Sequence, residues 1–226
     1  MLAAAFFVTV VVALAAYHVL IERPRRVASR DLQRRAPAGP ARLEDVVGPM
    51  PGGVFLQNGF TWSRVVPDGA VEVGVHPMLV GLIGDKPELI LDDPGGRVER
   101  GQPFMKIGHG DRALHLRAPV TGRITARNHF PRTDGGWDDS HGSDETWLYR
   151  VAPDDLARDV PSWMIGTQAT DWTRNRYERI REHLQYAAAH GSTGLALADG
   201  GEVPFGALKE LAPEAWLNFE ESFLTN

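Results

Sequence analysis

Residues 1–21, MLAAAFFVTVVVALAAYHVLI, form one apolar run interrupted only by Thr9, Tyr17 and His18. At a rise of about 1.5 Å per residue, about 20 apolar residues span a hydrocarbon core of roughly 30 Å. The run therefore predicts a single N-terminal transmembrane helix. A cleaved signal peptide would carry a positive segment ahead of its apolar stretch, and none precedes Leu2. Tyr17 and His18 fall where amphipathic rings favour a membrane interface. Residues 22–58 read as a basic flank and a linker punctuated by Pro37, Pro40, Pro49, Pro51, Gly48, Gly52 and Gly53. Val54, Phe55 and Leu56 at its end are costly to leave in water, so this part of the linker is expected to pack on something.

From residue 59 the pattern changes to period two. Phe60 to Val65 reads as a strand and Pro67-Asp68-Gly69 as a turn. Val71, Val73 and Val75 then alternate with Glu72 and Gly74, which predicts a half-buried strand. Pro77 to Ile83 reads as a short helix stopped by Gly84. Further strands are expected at Glu88 to Leu91, around Val98, at Arg123 to Arg127 and at Thr146 to Val151. The stretch PFMKIGHGDRALHLRAPVTG, residues 103–122, reads as strand, tight turn, strand. Gly108 and Gly110 would supply positive φ, and Pro119 would close the second strand. Many short strands with Gly and Pro turns predict a β-sandwich or barrel. Beyond Asp154 the chain reads as helical. Thr170 or Asp171 could cap a helix to His190 with Tyr177, Ile180, Leu184 and Ala187 or Ala188 on one face. Pro213 opens a last helix bearing Trp216, Leu217, Phe219, Phe223 and Leu224.

Charge sets the orientation. Arg23, Arg25, Arg26, Arg30, Arg34 and Arg35 follow the apolar run, so the positive-inside rule places everything after them in the cytoplasm. The expectation is a single-pass inner-membrane protein with its N-terminus outside. Arg23, Arg25 and Arg26 would meet anionic lipid headgroups. The formal net charge of −5 argues against a nucleic-acid partner. The chain has no cysteine, which excludes disulfides, thiolate metal sites and cysteine nucleophiles. Its only lysines are Lys86, Lys106 and Lys209.

The motifs in order resemble the glycine cleavage H protein and its lipoyl- and biotinyl-carrier relatives. Thr61-Trp62-Ser63-Arg64-Val65 with Asp68-Gly69 and Val71-Glu72-Val73-Gly74-Val75 looks like that family's opening hairpin. Leu82-Ile83-Gly84-Asp85 looks like the turn after its first helix. Gly101-Gln102-Pro103-Phe104 and Ala118-Pro119-Val120-Thr121-Gly122 look like the entry to and exit from its carrier hairpin. Trp147-Leu148-Tyr149-Arg150-Val151-Ala152-Pro153 looks like its closing strand. The resemblance implies a lysine at the hairpin tip carrying a lipoyl or biotinyl arm. Counted back from Ala118-Pro119-Val120, that position falls on Asp111, which has no amine to form the amide. Lys106 lies inside the strand, and moving it to the tip would turn over the hairpin's faces.

The expectation is thus a β-rich α+β chain: transmembrane helix at 1–21, flank and linker at 22–58, H-protein-like module at 59–160, helical extension at 161–226. It is expected to be no enzyme and to carry no cofactor. Asp138, Asp139, His141, Asp144 and Glu145 form an acidic loop that matches no EF-hand and reads as solvated surface. His109 and His115 do not have the spacing of a zinc site. The function expected is an accessory or scaffold subunit of a membrane complex, photosynthetic or respiratory by analogy. Integral membrane subunits would contact residues 1–21 and the cytoplasmic module. The alternative is a cofactor-free docking domain for an acyl-transfer or redox enzyme. Candidate interaction residues are Val54, Phe55, His109, Arg112, Trp216, Phe219 and Phe223. For the last helix, packing on the module and anchoring into a partner both remain open.

Overall fold

Alternating side chains and tight turns build two antiparallel sheets around one core. The computed structural model describes residues 43, 52–84, 88–91, 96–128, 147–195 and 201–225, all within the unit Arg42–Asn226. The expected transmembrane helix, the arginines after it and the acidic loop lie outside the described residues. No helix among the described residues is long and apolar enough to cross a membrane.

The larger sheet has the order β1-β2-β3-β9-β8-β5. Its strands are β1 (Val54–Leu56), β2 (Thr61–Val65), β3 (Val71–Val75), β5 (Arg97–Val98), β8 (Gly122–Arg127) and β9 (Tyr149–Pro153). The smaller sheet, in the order β4-β6-β7, contains β4 (Glu88–Leu91), β6 (Pro103–His109) and β7 (Arg112–Arg117). Val71, Val73, Tyr149 and Val151 of the first sheet share a core with Met105, Ile107, Leu114 and Leu116 of the second. Phe104 meets Tyr149 between them, ring centroids 5.4 Å apart.

Three local expectations change. β3 is buried along its whole length, not on one face. Register places Glu72 between Arg64 of β2 and Arg150 of β9. Arg64 Nη2 and Arg150 Nη2 each lie 2.7 Å from a Glu72 carboxylate oxygen, so the carboxylate is neutralised where the alternation pointed it outward. Trp62 lies over Gly74, where an added Cβ would fall 2.3 Å from the indole. β1 is also no free linker: Val54 pairs with Arg64 and Leu56 with Trp62. Phe55 packs on Trp163 at 5.3 Å. The last strand begins at Tyr149, after Trp147 and Leu148, and the expected start at Thr146 lies outside the described residues.

Among the described residues, four α-helices flank the sheets. α1 (Pro77–Ile83) is capped by His76, whose side chain accepts from the Met78 amide, and ends at Gly84 with φ 91°. α2 (Leu156–Asp159) is short. α3 spans Thr167–Ala189 and starts ahead of the expected Thr170 or Asp171 cap. Gly166 breaks the chain with φ 59°, and the Thr170 hydroxyl bonds back to the Gly166 carbonyl at 3.2 Å and caps nothing. Tyr177, Ile180, Leu184 and Ala187 form its buried face, as the periodicity predicts. α4 (Pro213–Leu224) buries Trp216, Phe219, Phe223 and Leu224 and leaves Leu217 64% exposed. These helices share the strands' core, so residues 161–226 are not a separate extension.

Candidate functional site

The β6–β7 hairpin is the element with carrier geometry. His109 pairs with Arg112 across a turn made by Gly110 and Asp111. Gly110 has φ 59°, and among the described non-glycine residues only Phe60 has positive φ. A glycine first and an ordinary residue second is the arrangement of a type II′ turn. Gly108 does not supply positive φ, contrary to expectation. It is needed for space, since an added Cβ would lie 1.9 Å from the Arg112 carbonyl oxygen. Gly108→Ala is expected to cost roughly 1–3 kcal/mol by overpacking, read as a lowered denaturant midpoint.

His109, Gly110 and Asp111 are exposed at the tip. Lys106 pairs with His115 in mid-strand, well back from the turn. Strand alternation points His109 and His115 to opposite faces. Among the described residues no group of three or more His, Cys, Asp or Glu is placed to hold a metal ion.

The base and one edge of the hairpin are held firmly. The Gly101 amide donates to the Ala118 carbonyl at 2.9 Å and the Ala118 amide to the Gln102 carbonyl at 2.8 Å. The Thr121 amide donates to Asp159 Oδ2 at 3.0 Å. Asp159 is fully buried, and its other oxygen lies 3.6 Å from Arg100 Nε and 3.7 Å from Arg158 Nε. Along β7, the His115 amide donates to Glu220 Oε1 at 2.8 Å and the imidazole Nδ1 meets the same oxygen at 2.7 Å. Arg112 Nη1 donates to the Leu211 carbonyl, and its guanidinium lies 6.0 Å from the Trp216 ring centroid.

The candidate interaction residues therefore separate. His109 is exposed at the tip, while Arg112 beside it is engaged with the C-terminal segment. Val54, Trp216, Phe219 and Phe223 are 3%, 5%, 0% and 3% exposed. They are buried within the chain's own fold. Phe55 is half-buried against Trp163. The residues that secure the hairpin, Asp159 and Glu220, escape sequence reasoning because their partners lie 38 and 105 positions away.

Two sheets over one core, a hairpin with an exposed turn and C-terminal helices define a carrier-type β-sandwich. Residues 55–176 match the family described as Glycine cleavage H-protein. The chain is 28% identical over 120 residues to glycine cleavage system H protein 2 of Aquifex aeolicus, covering 52% of this chain and 73% of that one. It is 30% identical over 107 residues to the glycine cleavage system H protein of Methylococcus capsulatus, covering 47% and 84%. The crystal structure of a glycine cleavage system H protein from Mycobacterium marinum is similar with a TM-score of 0.38 and 25% identity, covering 46% of this chain and 87% of that one. The chain belongs to the glycine cleavage H-protein family. Members of that family are carrier proteins and not catalysts.

Proposed function

We propose that this chain is a non-lipoylated member of the family that works as a non-catalytic accessory subunit of a membrane complex. An energy-converting complex, photosynthetic or respiratory, is the favoured host. In this reading residues 1–21 anchor it among integral membrane subunits, Arg23, Arg25 and Arg26 lie near anionic headgroups, and the module packs on the cytoplasmic face. The observation that carries the reading is Asp111, exposed at the hairpin turn in the position where the family's resemblance expects the arm-bearing lysine. A carboxylate cannot form the amide that holds a lipoyl or biotinyl group, and Lys106 is set back along the strand.

The test is isolation from native membranes in mild detergent, followed by intact mass measurement. The expected result is the unmodified chain mass and co-purification with integral membrane subunits. A lipoyl or biotinyl adduct, or recovery free of any complex, overturns the reading. The exposed His109–Asp111 tip also supports a second one, a cofactor-free docking domain for an acyl-transfer or redox enzyme. Recovery with a soluble enzyme in place of membrane subunits would favour that alternative.

A further inference from the structure

A three-stranded sheet has two edges, and an open edge presents unpaired amides and carbonyls on which another strand can add. β7 is one of these edges. The residues that cover it come from outside the part of the chain that matches the family, which ends at residue 176. Leu211 takes the Arg112 guanidinium on its carbonyl, and Trp216 lies beside the same group. One α4 side chain, Glu220, takes both the amide and the imidazole of His115. The two attachments lie on either side of Ala113 and Leu114, at the tip end and the middle of β7. The His115 amide points away from β6, so it is an edge donor that would otherwise face water or an incoming strand. α4 is itself packed into the core through Trp216, Phe219, Phe223 and Leu224.

We propose that the segment from Leu211 to Leu224 is a guard on the carrier hairpin. It closes the β7 edge to strand addition by a partner. The inference concerns the edge alone and stands whether or not the accessory-subunit reading does.

Hydrogen exchange of the full-length chain, read by mass spectrometry, tests it. With Glu220→Ala, exchange in the peptide containing His115 should rise about tenfold or more, the loss expected when one amide loses its acceptor. Peptides from β3 and β9 should exchange as in the wild type. Glu220→Gln should restore much of the protection, because its amide oxygen still accepts. An unchanged His115 peptide in Glu220→Ala would mean that the edge is not held by this contact. An equal rise in β3 and β9 would mean that α4 acts only as core. Either outcome overturns the guard.

Discussion

Arg176→Ala is expected to destabilise the fold by about 3–5 kcal/mol, through the cavity left by a long buried side chain and the two buried carbonyls that lose their donor. Arg176 is 8% exposed, and no carboxylate among the described residues pairs with it. Its charge is balanced in another way. Nη2 donates to the Asn58 carbonyl at 3.0 Å and to the Phe223 carbonyl at 3.2 Å. The second acceptor is in the last turn of α4, where helix carbonyls lack internal donors and the dipole is negative. The guanidinium also lies 5.0 Å from the Trp172 ring centroid, 5.5 Å from Phe223 and 5.7 Å from Phe60. Each such ring contributes about 0.5–2 kcal/mol depending on desolvation. Burial and the nearby Arg179 charge both lower the Arg176 pKa, in that order. Arg176→Lys should cost nearly as much as alanine, because a compact ammonium cannot lie flat against three rings. Arg176→Met should cost less, since it keeps the stem's packing and removes the desolvated charge. Urea unfolding at neutral pH measures all three. If alanine falls within about 1 kcal/mol of wild type, the desolvation cost of the guanidinium has offset everything it holds, and α3 is joined to the β1–β2 turn by packing alone.

This residue also shows where sequence reasoning reached and where it stopped. The hairpins, α1 and the apolar face of α3 are legible because they are local. Gly and Pro mark the turns, and a period of two or 3.6 marks the face. The apolar stripe of α3 predicts Tyr177, Ile180, Leu184 and Ala187 correctly but says nothing of Arg176, because nothing in the sequence shows that Asn58, 118 positions earlier, supplies an acceptor. Glu72 fails in the same way. Alternation points it outward, and only the pairing of β3 with both β2 and β9 brings Arg64 and Arg150 to it. For Trp216, Phe219 and Phe223 the spacing defines one face of a helix without saying what covers it. The structure covers it with this chain, so the strands and the last helix depend on each other. The tip was legible because the turn chemistry of Gly110-Asp111 is local. The edge guard was not, since Glu220 acts from the far end of the chain.

Below neutral pH the fold is expected to lose up to about 3 kcal/mol through a single group, His76. The residue is 1% exposed, and its ring sits 6.5 Å from both Phe60 and Trp172. Nδ1 accepts the Met78 amide at 3.1 Å, so it caps α1 and must be unprotonated. A proton there would replace an acceptor by a donor facing a donor, inside an apolar surround. Burial pushes the pKa from 6.5 down to about 4. A base whose pKa is lowered on folding binds fewer protons folded than unfolded between those two values. Its contribution is therefore complete above pH 6.5, falls as pH drops toward about 4, and changes no further below that. Burial also lowers the pKa of His183, which adds a slope of the same sign, so the wild-type curve alone does not isolate His76. His76→Asn does. Asparagine is among the best N-caps and does not titrate, but it is smaller than the ring and should cost about 1–2 kcal/mol at neutral pH through lost packing. Urea midpoints measured from pH 7.5 to 4.5 should show the variant weaker than wild type at the upper end. The gap should close as pH falls and reverse near the lower end. Parallel curves for the two proteins would show that His76 is not the group that makes this fold acid-sensitive.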